Sequence, residues 1–160
     1  MALSGDRAVT ADDPLSVLED WVAPLLARLT PPERRALARK VGQDLRRSQA
    51  SRIAAQRNPD GSTYEPRKPG SSRQQQGRIR RTMFNKLRTV RFLRLQASEE
   101  AVAIGFLGRP ARIARVHQEG LRDAVKPGGA QYQYPARTLL GFTDFERERI
   151  RELLLAHIAD

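Results

Sequence analysis

At 160 residues the chain has the length of one ordinary domain, able to bury roughly two-thirds of the surface its unfolded form exposes. It contains no cysteine, which excludes disulfide scaffolds, thiolate metal sites and cysteine nucleophiles. Lys and Arg outnumber Asp and Glu by 29 to 18, a formal net charge of +11, so the chain must meet acidic partners or offset its own positive field.

Residues 1–13 carry neither a basic n-region nor an apolar h-region, which predicts a flexible N-terminus and no secretory leader. No apolar run approaches the roughly 18 residues of a membrane span. From Pro14, the residues Leu15, Leu18, Val22, Leu25 and Leu29 fall at helical spacing, with Trp21 and Leu26 widening the stripe. Asp12 or Asp13 before Pro14 suits an N-cap with Pro at the first helical position, and Pro24 should kink or break the helix. Thr30-Pro31-Pro32-Glu33 has the capping-box form, Thr at the N-cap and Glu three residues on. A long amphipathic helix follows to about Gln56, with Leu37, Val41 and Leu45 on its apolar stripe, Ala50, Ile53 and Ala54 continuing it, and only Gly42 interrupting.

Asn58-Pro59-Asp60-Gly61 reads as a turn. The residues that follow to Gln76 are mostly Pro, Gly, Ser, Arg and Gln, with Tyr64 the one aromatic, and 58–76 is expected to be a long mobile loop. Ile79, Met83, Phe84 and Leu87 suggest a short helix over 78–87. The period then changes from helical to two. Residues 90–95 and 101–106 alternate around the polar stretch 96–100, which predicts a β-hairpin. A helix over 109–118 should turn Ile113 and Val116 inward. Pro127-Gly128-Gly129 separates 121–125 from 131–134, a second hairpin. Thr143-Asp144-Phe145-Glu146 is another capping box, and it opens a last helix whose Ile150, Leu153, Leu154 and Ile158 share a face. The order gives an α+β fold: N-terminal amphipathic helices, a small, mostly antiparallel sheet built from hairpins, a C-terminal helix and an extended basic loop. In domain terms, 1–13 is the flexible N-terminus, 14–57 the helical region and 58–77 the mobile basic arm; 78–160 forms an α+β core packed with the helices as one domain.

The positive charge is concentrated. Between residues 66 and 98 lie Arg67, Lys68, Arg73, Arg78, Arg80, Arg81, Lys86, Arg88, Arg91 and Arg94 with no carboxylate among them, so the rest of the chain sums to +1. Such a stretch fits nucleic acid, with Tyr64 and Phe92 available for stacking, and fits an acidic protein neighbour equally well. No helix-turn-helix, RNP or zinc-finger pattern accompanies it.

Catalytic patterns are missing from the sequence. The two histidines, His117 and His157, are forty residues apart without the spacing of a metal-binding pair. His157 sits near the end of the last helix, where a cation is favourable without any function. No GxSxG occurs, Ser71-Ser72 have no histidine near them in sequence, and Glu99-Glu100 reads as a solvated turn. Gly105-Phe106-Leu107-Gly108 lacks the third glycine and the lysine of a phosphate loop. The reading is therefore a protein that is not an enzyme, with no catalytic, cofactor-binding or metal residues.

Several ordered motifs carry a resemblance. They are Arg52-Ile53-Ala54-Ala55-Gln56 with Asn58-Pro59-Asp60-Gly61, then Met83-Phe84-Asn85-Lys86-Leu87-Arg88, and Val102-Ala103-Ile104-Gly105-Phe106. Arg112-Ile113-Ala114-Arg115-Val116-His117-Gln118-Glu119-Gly120-Leu121-Arg122-Asp123 follows, and Tyr134-Pro135-Ala136-Arg137-Thr138-Leu139-Leu140-Gly141 closes the series. Over about residues 15–158 the chain resembles the phage virion morphogenesis family, the tail-completion proteins (protein S type) of contractile-tailed bacteriophages and prophages.

The resemblance implies a non-enzymatic structural protein of the virion that completes the tail and prepares it for head–tail joining. It also implies a six-fold ring at the junction of tail and neck. Expected partners are further copies of the chain, tail tube, sheath or terminator subunits, neck and connector proteins, and DNA in the channel. The expected location is the virion tail or neck, and the host cytoplasm during assembly. The alternative is a basic accessory protein that contacts nucleic-acid phosphate through residues 66–98. Candidate contact residues are Tyr64, Arg67, Lys68, Arg78, Arg80, Arg81, Arg112, Arg115, His117 and Arg137. Arg112 and Arg115 share a helix face that His117 does not. His117 has a purely structural alternative, stabilising the turn at Gly120, and Arg137 is expected to pair with Asp123 or Glu119.

Overall fold

The computed structural model describes residues 14–67, 82–124 and 126–159, and within them the chain forms two compact units. The first is built from residues up to Arg47, from Arg94–Gly105 and from Phe142 onward; the second from Ser48–Leu93 and Phe106–Gly141. Four helices and two separate two-stranded antiparallel sheets make an α+β fold, as the element order predicts.

In the first unit, helix α1 (Pro14–Leu26) contains Pro24. Lacking an N–H, Pro24 cannot continue the hydrogen-bond ladder, and the helix stops two residues later. Arg28 and Leu29 already bond three residues back, to Leu25 and Leu26. The expected cap at Asp12 or Asp13 lies outside the described residues. Val22 is buried whereas Trp21 is an exposed large apolar residue, so the tryptophan does not widen the inward stripe. Helix α2 (Pro31–Ala54) opens at the expected capping box: the Thr30 N–H and Thr30 Oγ1–H each donate to Glu33 Oε2 at 2.7 Å. Its stripe is the expected one, Leu37, Val41 and Leu45 all being buried. Gly42 lies beside that stripe because a Cβ there would come within 2.9 Å of Val102 Cγ1 and still closer to Leu95 Cδ1.

Strands β1 (Leu93–Ala97) and β2 (Val102–Phe106) form the first hairpin. Its connection is tied by Ser98: its N–H donates to Ala101 O at 2.9 Å and its Oγ accepts from the Ala101 N–H at 3.0 Å. The strand begins later than position 90, because Phe92 and Leu93 both donate to Thr89 O and close a turn first. A later helix (Asp144–Ala159) packs against α1. Its capping box is complete: Glu146 Oε2 accepts from the Thr143 N–H at 2.9 Å, and the Glu146 N–H donates to Thr143 Oγ1 at 3.0 Å.

The second unit centres on Ile53, Tyr64, Met83, Leu87, Ala114 and Leu139. The predicted turn is present: Gly61 (φ +85°) donates to Asn58 O, the Asn58 N–H donates to Ser62 O, and Arg57 pairs with Thr63 in an antiparallel bridge. This miniature hairpin carries Tyr64 into the core at 4% exposure. The first part of the supposed mobile loop is thus fixed by packing; residues 68–81 lie outside the described ones. Residues 82–92 run through successive turns instead of the expected short helix. Met83 is held by a side chain, Gln56, rather than by a helical ladder.

Helix α3 (Pro110–Glu119) ends at Gly120, whose left-handed φ of +63° lets its N–H reach Val116 O. Ala114 and Val116 are buried, but Ile113 is 53% exposed, contrary to the sequence expectation. Strands β3 (Arg122–Ala124) and β4 (Gln131–Gln133) pair antiparallel with Asp123 opposite Tyr132. The Asp144–Ala159 helix, α4, then completes the chain. No helix among the described residues is long and apolar enough to cross a membrane.

Candidate functional site

The second unit contains a cavity of about 490 Å³, within the range of about 300–1,000 Å³ usual for ligand pockets. Four stretches of sequence supply its walls: Pro66 and Arg67 after the miniature hairpin, Met83 and Phe84 in the turns, His117 in α3, and Tyr132, Tyr134, Pro135 and Arg137 in and after β4.

Arg137 is the organising side chain, at 3% exposure. Its backbone N–H donates to His117 O at 2.7 Å, which docks the segment after β4 onto the end of α3. Its Nε donates to Glu65 O at 2.7 Å and its Nη2 to Pro66 O at 3.2 Å, which fixes the chain on the other side of the cavity. Nη1 lies 3.0 Å from His117 Nδ1. A guanidinium only donates, so Nδ1 must be the acceptor and the imidazole proton resides on Nε2. Burial, reinforced by the positive charges of Arg137 and Arg67, pushes the His117 pKa down to about 4. The imidazole is therefore neutral at pH 7, as that hydrogen bond needs.

The rings form a continuous series. Tyr64 meets Phe84 at 5.9 Å between centroids, Phe84 meets His117 at 4.8 Å, His117 meets Tyr134 at 5.1 Å, and Tyr134 meets Tyr132 at 4.9 Å. Every pair is edge-to-face, the arrangement favoured by the ring quadrupole. Phe84 takes a left-handed φ of +64°, a conformation that costs a non-glycine residue about 1–2 kcal/mol.

Two glutamines brace this framework. Gln56 Nε2 donates to Met83 O at 2.9 Å while Gln56 Oε1 accepts from the Met83 N–H at 2.7 Å. Gln118 does the same to Leu140, both bonds being 2.9 Å. In each case a side-chain amide completes both backbone groups of one distant residue, as a β-bridge would.

The sequence candidates separate clearly. Arg67, His117 and Arg137 come together at the cavity. Tyr64 stands one ring behind it, buried, its OH directed at Thr138 O at 3.5 Å. Arg112 and Arg115 occupy the exposed face of α3, as the helical spacing requires, paired with Asp123 and Glu119 respectively. Those two carboxylates were the expected partners of Arg137, which instead bonds carbonyls and His117. Gly120 is capped by its own backbone, so His117 serves the cavity and not the turn. Lys68, Arg78, Arg80 and Arg81 lie outside the described residues. Sequence reasoning missed Phe84, Tyr132 and Tyr134 as wall residues; the two tyrosines were marked only by their spacing of two in a predicted strand.

Among the described residues the imidazole is met by Arg137, Phe84 and Tyr134, an arrangement of cation and rings suited to binding. The phage virion morphogenesis family matches residues 13–159 of the chain. Tail completion protein S of Escherichia phage P2 is 43% identical over 141 residues, spanning 88% of this chain and 94% of that relative. No solved structure matches the chain. With a match that takes in both units and every wall of the cavity, the chain belongs to the phage virion morphogenesis family.

Proposed function

We propose that this chain is a structural, non-enzymatic tail-completion protein that acts stoichiometrically on a phage tail and readies it for joining to the head. The observation that carries this reading is the 43% identity to a tail completion protein over 94% of that relative's length. The cavity is consistent with it: rings, prolines and arginines form a surface for recognition rather than turnover.

In this reading the protein works as a ring, six-fold to match the tail tube, at the junction of tail and neck. A closed ring uses two different faces of each subunit. Six copies of a +11 chain repel one another unless acidic neighbours, DNA or salt offset the field. Tail and neck subunits, and DNA in the channel, are the partners proposed to supply that compensation. The protein assembles in the host cytoplasm and ends in the virion.

Deleting the gene from its phage and imaging the products tests the reading. Separate filled heads and unjoined tails are expected, with joining restored when the protein is supplied in trans. Normal infectious particles at full yield without the protein would overturn it.

A further inference from the structure

We propose that the cavity around Arg137 is the seat for an acidic peptide segment of another tail protein, which sets a carboxylate against Arg137 and an apolar or proline side chain against the rings. The inference rests on the assembly reading above and adds the site and the chemistry of the contact.

The Arg137 guanidinium lacks a charged partner in contact. It is almost wholly buried, yet its acceptors are two backbone carbonyls and the lone pair of His117, all uncharged. No ion pair among the described residues includes it. Glu65 contributes its carbonyl, while its own side chain is exposed. Its hydrogen-bond acceptors are all neutral and the exposed Glu65 carboxylate acts on it only through its field, so the buried cation is incompletely compensated. A carboxylate in contact is the group that compensates it best. Of the five N–H groups of an arginine, three are used in these bonds; each terminal nitrogen keeps one N–H for a ligand. Arg67 is exposed at the rim and adds a second positive charge to draw the acidic segment in.

The apolar wall is shaped for side chains. Phe84, His117, Tyr132 and Tyr134 line the cavity, and each ring packs edge-to-face on the next. Perpendicular rings leave slots between them that suit a proline or a single apolar side chain. Nucleic-acid bases instead need open ring faces on which to stack, and a duplex phosphate cannot approach a guanidinium buried this deeply. A slender peptide chain carrying a carboxylate can. Such depth also matches the buried aromatic and arginine anchors that dominate protein–protein recognition.

The test uses the full-length protein and a synthetic array of overlapping peptides of about twelve residues. The array tiles the other tail proteins encoded with it; oligothymidylate of similar length is the nucleic-acid probe. Binding is expected to concentrate in peptides with Asp or Glu near Pro, Phe, Tyr or Trp. Replacing those acids by Asn or Gln should weaken it by roughly tenfold or more, the scale of one lost buried charge pair. Arg67→Glu and Tyr132→Ser should weaken it similarly. Because Arg67 bears on His117 and Tyr132 packs on Tyr134, each is measured at a temperature where its own unfolding curve shows it folded; Arg137→Lys tests the fork directly where it folds. Acid-independent binding, binding untouched by Arg67→Glu and Tyr132→Ser, no peptide binding, or binding of oligothymidylate alone would each overturn the inference. Complementation separates this from the function itself. Cavity variants that restore full infectivity to a deletion that abolishes it would sink the peptide seat and leave the tail-completion reading standing. Infectious particles from the deletion would sink that reading first.

Discussion

Gln56 and Met83 are joined through both atoms of the glutamine amide, Nε2 donating to Met83 O at 2.9 Å and Oε1 accepting from the Met83 N–H at 2.7 Å. Met83 is buried, so its backbone groups have little recourse to water. The clamp fixes the residue immediately before Phe84 and thereby one wall of the cavity.

Gln56→Leu keeps the bulk and removes both bonds to Met83, together with the Nε2 bond to Ile53 O at 2.6 Å. Each buried backbone group left unsatisfied costs about 1–3 kcal/mol, so a total loss of roughly 2–6 kcal/mol is expected for the two Met83 groups. Gln56→Glu keeps the acceptor, loses the donor and should fall between. Chemical denaturation of the two variants beside the parent checks the order; a Gln56→Leu protein as stable as the parent would show that the clamp contributes nothing.

Gly42 is where helix α2 gives up propensity for packing. Alanine there gains about 1 kcal/mol of helix propensity, but its Cβ would press on Leu95 and Val102, and overpacking costs about 1–3 kcal/mol. Gly42→Ala should therefore be neutral to destabilising by about 2 kcal/mol in the parent. In a Leu95→Ala background most of the obstruction is gone, and the same substitution should stabilise. The double-mutant cycle reads this coupling directly; additive effects would contradict the packing account.

What the sequence displayed was set by local rules, and what it hid was set by distant backbone. The starts of α2 and α4 were legible because Thr30 with Glu33, and Thr143 with Glu146, are three residues apart and need no tertiary information. Both hairpins were legible from alternation around turn residues. Tyr64 was misjudged because its neighbours have the composition of a loop, although one aromatic ring suffices to anchor it. Ile113 was placed inward for its size, whereas the tight space on that side of α3 takes Ala114, at 2% exposure. The partners of Arg137 were out of reach: Glu65 and Pro66 offer carbonyls, which no charge pattern marks, about seventy residues away.

The two capping boxes make an internal comparison. Thr143 and Glu146 are part-buried around their bonds, Glu146 being 2% exposed, whereas the Thr30–Glu33 pair is exposed. Losing an N-cap side chain costs about 0.5–2 kcal/mol. Thr143→Ala should lie near the top of that range and Thr30→Ala near the bottom, because water replaces the lost bond only at the exposed site. Equal losses in paired denaturation curves would show that burial around the cap does not matter.

His117 gives the fold a defined acid sensitivity. Its folded pKa is held at about 4, chiefly by burial and secondarily by Arg137 and Arg67, while an imidazole in the unfolded chain titrates near 6.5. As the pH falls through 6.5 the unfolded state takes up the proton and the folded state does not, so stability falls. The contribution is fully present above about 6.5, declines between about 6.5 and 4, and levels off below 4, where both states are protonated. Protonation would also turn Nδ1 into a donor facing Arg137 Nη1, another donor only 3.0 Å away. His117→Asn retains a neutral acceptor and removes the titration. Thermal unfolding from pH 7.5 to 4.5 should show the parent losing stability across this window more steeply than His117→Asn. Parallel curves for the two proteins would remove His117 as the source of the acid response.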